Sequence, residues 1–263
     1  MSVTISSDAI RERFAALRAA GRKALVPYIT AGHPDPEQSV ALMRGLAAAG
    51  ADVIEVGVPF SDPLADGAVI QASSQRALAH GMTFDRVLDL IQQAALPIPV
   101  VLFSYLNPVL AAGRDALVRA AQAGVHGVLV TDLPVGADPE LEEWFGQGPL
   151  AFIRLVAPTT PVERMREIAT HGSGFVYLIS RLGVTGMQDQ LSAELPGTIA
   201  RLRAATDLPI CVGFGVSTPE QAAAVARLAD GVVVGSALVR AAEEGVDAAV
   251  ALASSMRRAI DAT

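Results

Sequence analysis

Lysine is all but missing from this chain: Lys23 is the only one. Cysteine is as scarce. Cys211 stands alone, so no disulfide can form within the chain, and its place in the apolar run 208–212 marks it as a small core residue. No apolar run approaches the roughly 18 residues of a membrane span. The first twenty residues carry charges within a helical pattern and lack the apolar stretch of a signal peptide. A cytoplasmic protein is expected. Basic residues do not dominate either: the formal net charge is −7 and the pI is near 5.1. That argues against nucleic acid as a partner and against attraction to an anionic membrane surface.

What is present is apolar and regularly punctuated. Hydrophobic residues make up 51% of 263, enough for a large core. Short apolar runs read as strands at Ala24–Thr30, Val53–Val56, Ile98–Ser104, Gly127–Thr131, Leu150–Val156, Gly174–Ile179, Pro209–Gly213 and Gly231–Val234. They are continuous rather than alternating, which suits a parallel sheet covered by helices. Helical patterns separate them at 36–49, 68–79 and 84–94, at 112–123, 139–145, 161–170, 192–204 and 219–228, and finally at 236–244 and 247–261. Asp35 is the expected cap of the first of these, with Pro36 at its first position. A preceding helix with Ile10, Phe14 and Leu17 on one face, capped by Ser7 or Asp8, would cover the bottom of a barrel. Eight strand–helix units in this length predict an α/β fold, a single (β/α)8 TIM barrel over residues 1–263 with extra helices in the βα loops. A doubly wound open sheet is the alternative. The first strand is not followed by Gly-x-Gly-x-x-Gly, which weakens a dinucleotide-binding version of it.

One stretch does not fit a plain core: Val53-Ile-Glu-Val-Gly-Val-Pro-Phe-Ser-Asp-Pro-Leu-Ala-Asp-Gly67. Glu55 sits inside an apolar strand, where an unpaired carboxylate is expensive. Asp66 closes the turn-rich loop that follows. Two carboxylates placed this way can serve as general acid and base in one pocket. The plainer alternative pairs Glu55 with a core arginine and makes Asp66 a helix cap.

In a barrel of this kind the chemistry lies at the C-terminal strand ends. Gly213 and Gly215 after the seventh strand, with Gly235-Ser236 opening a helix after the eighth, form an expected phosphate site of free amides and a positive helix end. The loop Gly183–Gly186 could close over it. Tyr28, Phe103, Leu129 and Phe214 would line the opposite wall with aromatic and apolar surface. A ligand with a phosphate at one end and an apolar ring at the other is implied. Schiff-base chemistry is excluded because Lys23 precedes the first strand, at the wrong end of the barrel. Of the four histidines, His33 alone is expected on the functional face, as a solvated loop residue, with His80, His126 and His171 near the opposite rim. No metal site follows from such scatter. Acid–base catalysis by carboxylates remains, on a substrate that can itself hold charge.

The long stretch ending at Gly67 resembles, without a gap, the signature of the tryptophan synthase α subunit family. Tyr177 with Ser180-Arg-Leu-Gly-Val-Thr-Gly186, Gly213-Phe-Gly215 and Gly235-Ser236 resemble its other motifs in order. The resemblance implies retro-aldol cleavage of indole-3-glycerol phosphate to indole and glyceraldehyde 3-phosphate. It implies Glu55 as the acid/base, Asp66 as the group holding the indole N–H, and Thr185 as the residue that orients Asp66. Tyr177 would lie near Glu55, and Gly186, Gly215, Gly235 and Ser236 would hold the phosphate. It further implies an α2β2 complex in which pyridoxal phosphate belongs to the β subunit, with no cofactor in this chain. The loop around Asp62 and the segment Asp132-Leu-Pro134 would lie near that partner. Leu182 departs from the small polar residue familiar there. A stand-alone indole-releasing lyase and a catalytically silent barrel subunit are the alternatives.

Overall fold

The computed structural model describes residues 8–179, 194–213 and 215–263. The chain begins with α1 (Ala9–Ala19), β1 (Ala24–Thr30), α2 (Pro36–Ala48) and β2 (Ile54–Gly57). Two helices, α3 (Ala68–Ala79) and α4 (Phe84–Ala94), lead to β3 (Val100–Ser104). Then come α5 (Leu106–Ala111), α6 (Ala116–Gln122), β4 (Gly127–Val130), α7 (Pro139–Gly146) and β5 (Ala151–Val156). The second half runs α8 (Val162–Thr170), β6 (Val176–Ile179), α9 (Leu195–Arg203), β7 (Ile210–Gly213), α10 (Pro219–Ala226), β8 (Gly231–Val234), α11 (Ser236–Glu244) and α12 (Val246–Asp261). The eight strands are parallel and close in sequence order, β8 pairing back onto β1. The expected (β/α)8 barrel is the observed one, and the open sheet is not.

Side-chain alternation along each strand explains the unbroken apolar runs. One set of residues, including Leu25, Ile54, Val56, Leu102, Val128, Phe152, Val212 and Val232, packs outward against the helices. The other set, including Val26, Tyr28, Val101, Phe103, Leu129, Ile153, Tyr177, Cys211 and Val233, fills the barrel interior. Both faces are buried, so both must be apolar. The lone thiol of Cys211 belongs to that interior.

The bottom of the barrel is stoppered by α1. Ile10, Phe14 and Leu17 are its buried residues. Phe14 lies 5.6 Å from Phe175, centroid to centroid. A Cβ on Gly127 would come 2.7 Å from Ile10, so glycine at the start of β4 makes room for the plug. Of the two expected caps at this helix, Ser7 lies outside the described residues. Asp8 makes no side-chain cap bond and pairs instead with Arg11 at 2.9 Å. At α2 the expected cap is present: Asp35 accepts from the Gln38 amide at 2.8 Å.

The single helix expected over 112–123 is replaced by α5 and α6. Asp132 accepts a hydrogen bond from the Leu106 amide at 2.7 Å and starts α5 early. Gly113, at φ +97°, then ends it. The third strand starts at Val100 rather than Ile98. Pro99 has no N–H to give to a ladder, and its carbonyl accepts from Ile54.

Below the sheet, the fully buried Asp52 accepts from Arg13 at 2.6 Å, Arg257 at 2.8 Å and the Leu25 amide at 2.9 Å. This ties α1, α12 and β1 together. Asp52→Ala leaves two guanidinium groups without their buried partner, and a loss of about 3–5 kcal/mol is expected in urea unfolding. A variant as stable as the parent would show that the cluster does not hold the barrel floor.

Candidate active site

Strand β2 alternates Val53, Glu55 and Gly57 toward the barrel axis, and Glu55 sits level with Tyr28 of β1 and Val101 of β3. The carboxyl group is fully buried. Among the described residues neither of its oxygens has a hydrogen-bond partner. Burial alone raises its pKa from 4.5 to about 8. Among the described residues no core ion pair forms at Glu55, in contrast with Asp52, three residues upstream. That carboxylate is equally buried and holds two arginines, whereas Glu55 has none among the described residues. At neutral pH this keeps Glu55 a protonated acid, with no acceptor among the described residues.

Three aromatic rings surround it. Phe103 stands edge-on to Tyr28 at 5.3 Å and to Tyr177 at 6.5 Å. Leu129 pairs in register with Phe103 and is fully buried. The tyrosine hydroxyls occupy space that glycine leaves. A Cβ on Gly57 would collide with the Tyr28 hydroxyl, and one on Gly213 with that of Tyr177. Burial together with the charges of Asp66 and Glu55 raises the pKa of both phenols, so both remain protonated. The structure thus brings together Tyr28, Phe103, Leu129 and Tyr177 around Glu55. Together they make a flat apolar cup with an acid in its wall.

Asp66 lies at the end of the loop above β2 and is 9% exposed. It is not a helix cap: the residue preceding α3 is Gly67, which makes no side-chain cap bond. Its carboxylate instead accepts from the Tyr105 hydroxyl at 3.1 Å. Burial pushes its pKa up to about 6, while the Tyr105 bond pulls the other way. Tyr105 directly follows β3 and belongs to none of the motifs named above. A tyrosine there, level with the loop that carries Asp66, was the available signal.

Across the barrel mouth, Gly235 precedes α11 and Ser236 opens it, without a side-chain cap. The first amides of such a helix have no intrahelical acceptor and face outward with the positive end of the dipole. A Cβ on Gly235 would lie 3.6 Å from that of Tyr28, so this helix end sits beside the aromatic cup. Gly215, at φ +94°, has a backbone open to glycine. Thr185, Gly186, Leu182 and Phe214 lie outside the described residues.

Two histidine expectations are corrected. His33 is buried rather than solvated, with Nε2 4.0 Å from Glu243 of α11. His80 is not at the lower rim: its Nδ1 is 3.4 Å from the Gly32 carbonyl, in the loop above β1. The cause is α3, an inserted helix that does not return to the bottom of the barrel. Among the described residues no three metal-ligating side chains cluster. A groove of about 430 Å³ opens elsewhere, between α7 and α8. Arg154 and Glu142 in its wall already satisfy each other at 2.8 Å, so it offers no comparable chemistry.

The unpaired acid carries a stability signature. Its folded pKa lies above its unfolded one, so the native state holds the proton more tightly. Stability then falls as pH climbs from about 4.5 toward 8. Glu55→Gln removes that penalty. Urea unfolding at pH 9 should show the variant more stable than the parent by up to about 5 kcal/mol, with little difference at pH 5. Equal pH dependence in the two proteins would mean Glu55 titrates normally.

Comparison with known proteins agrees with this geometry. The tryptophan synthase alpha chain family model matches residues 14–261. The tryptophan synthase alpha chain of Desulfatibacillum aliphaticivorans is 48% identical over 241 residues, spanning 90% of this chain and 91% of that one. That of Laribacter hongkongensis is 47% identical over 261 residues, spanning 96% and 99%. The solved tryptophan synthase subunit alpha from Legionella pneumophila str. Paris superposes with a TM-score of 0.88 at 40% identity, covering 97% of this chain and 99% of the other. The chain therefore belongs to the tryptophan synthase alpha chain family, lyases that cleave indole-3-glycerol phosphate to indole and glyceraldehyde 3-phosphate without a cofactor of their own.

Proposed function

We propose that Glu55 and Asp66 carry the family's reaction in this chain, within a single catalytic domain over residues 1–263. The observation that carries this reading is Glu55 itself, a buried acid without a partner among the described residues, in the wall of an aromatic cup.

The indole ring rests among Tyr28, Phe103, Leu129, Tyr177 and Phe214. The phosphate takes the amides and hydroxyl at Gly186, Gly215, Gly235 and Ser236. Glu55, protonated at neutral pH, gives its proton to C3 of the ring. The ring nitrogen then bears positive charge, which the Asp66 carboxylate holds through the N–H, with Thr185 orienting it. Such fixed charge at the place where charge develops is the electrostatic part of catalysis. The glycerol hydroxyl next to the ring returns a proton to Glu55 as the carbon–carbon bond breaks. The bonding pair flows back into the ring, neutralising the nitrogen, and the hydroxyl carbon leaves as an aldehyde. Glu55 ends as it began, so neither lysine nor metal is required.

The partner in this reading is the β subunit, in an α2β2 heterotetramer where pyridoxal phosphate belongs to β. This reading sets the loop at Asp62 against β, and Leu64 there is 89% exposed, an apolar side chain such a contact would cover. Exposed Asp132 and Pro134 border the same side. A cytoplasmic location fits such a biosynthetic enzyme. No helix among the described residues is long and apolar enough to cross a membrane. Assays with and without β separate a coupled enzyme from a stand-alone indole producer, since full activity alone would favour the latter.

Glu55 must be protonated and Asp66 ionised for the first step. kcat/KM should therefore be bell-shaped, falling below about 6 as Asp66 gains a proton and above about 8 as Glu55 loses one. Glu55→Gln should cut kcat by about 10²–10⁴-fold or more. Asp66→Asn should lose most turnover while still binding glycerol phosphate. Near-parental kcat in a folded Glu55→Gln variant would rule out the catalytic role, as would a silent barrel with no cleavage in the parent.

A further inference from the structure

We propose that Tyr105 is a positioning residue for Asp66, fixing the orientation and charge of its carboxylate through one directed O–H···O bond. This rests on the role given to Asp66 above. The geometry leaves the bond little choice of direction. The Tyr105 hydroxyl accepts from the Ala65 amide at 2.9 Å and lies 3.1 Å from Asp66 Oδ2. With an N–H already directed at the phenol oxygen, its own proton is free to point at the carboxylate. An ionised carboxylate can only accept, so the match is to the charged form. A protonated Asp66 would bring a second donor to the same phenol oxygen.

The ring that supplies this bond is held rigidly. Tyr105 is buried, 5.2 Å from Phe60 by ring centroids. Its carbonyl accepts from Ser104 Oγ at 2.8 Å, and the next amide, Leu106, donates to Asp132 at 2.7 Å. Its backbone is thus fastened on both sides at the end of β3. Asp66, by contrast, sits at the end of a turn-rich loop, its amide bonded to the Pro63 carbonyl at 3.0 Å. A fixed donor on a strand end thereby sets the geometry of a loop carboxylate. Ala65 and Asp66 are gripped together, so the bond also holds the loop end against the barrel.

The groups facing Asp66 are named by their mutual influence. Tyr28 from β1 and Tyr177 from β6 feel its charge. Both also feel Glu55 from β2. Tyr105 feels Asp66 and, from the loop after β4, Asp132. Each of these neighbours is neutral or acidic. Among the described residues, the Tyr105 bond is what favours the Asp66 anion against its burial.

The test is Tyr105→Phe in the full-length enzyme, which keeps the ring and its packing and removes the hydroxyl. The acid limb of kcat/KM for indole-3-glycerol phosphate cleavage should move up by about one pH unit. In an Asp66→Asn background the same Tyr105→Phe change should alter kcat/KM by less than about twofold, because the charge that the bond stabilises is gone. An unmoved acid limb, or an equal loss in both backgrounds, would overturn the proposal by assigning Tyr105 to packing alone. Asp66→Asn on its own separates the two layers. If that variant keeps parental activity, the role of Asp66 is wrong, whatever Tyr105 does to it.

Discussion

The site depends on the cost of burying a charge. A carboxylate taken out of water needs a cation or several donors, or it keeps its proton. This chain contains both solutions within four residues. Asp52, at the floor, is given Arg13, Arg257 and a main-chain amide. Glu55, one turn of alternation higher, is given aromatic rings and no partner among the described residues. The first becomes a structural anchor and the second a neutral acid. The difference is made by what the facing elements supply, since α1 and α12 reach the floor but not the interior above it.

The barrel turns that difference into a pocket. Strand alternation sends Tyr28, Glu55, Phe103, Leu129 and Tyr177 into the barrel interior. Glycine at Gly57 and Gly213 lets the two phenols lie over neighbouring strands instead of being pushed out. Above these residues the loops bring polar groups: Asp66 held by Tyr105 on one side, the start of α11 on the other. In the proposed mechanism an apolar ring, a developing cation and an anion would each meet an environment suited to them, from elements far apart in sequence.

The barrel itself was legible in the sequence, because continuous apolar runs in alternation with helical patterns allow few other arrangements. Glu55 was legible as a misfit, a charge where the pattern demanded an apolar residue. Asp66 was not, since an aspartate before glycine reads as a turn, and its defining partner Tyr105 is 39 residues away. The break between α5 and α6 was hidden for the same reason: Asp132 holds Leu106 from 26 residues further on. His33 and His80 were misplaced because α3 is an extra helix over the barrel mouth, an insertion that periodicity alone does not orient. Local pattern foretells elements, and long-range hydrogen bonds decide their ends and their chemistry.

On this account Glu55 carries a proton at neutral pH because no described residue offsets its charge. Infrared difference spectra of the parent against Glu55→Gln, taken across a pH series, observe that proton directly through the carbonyl stretch of a carboxylic acid. The stretch should persist through neutrality and fade with a midpoint near 8. Its disappearance near the ordinary glutamate value of about 4.5 would contradict the claim.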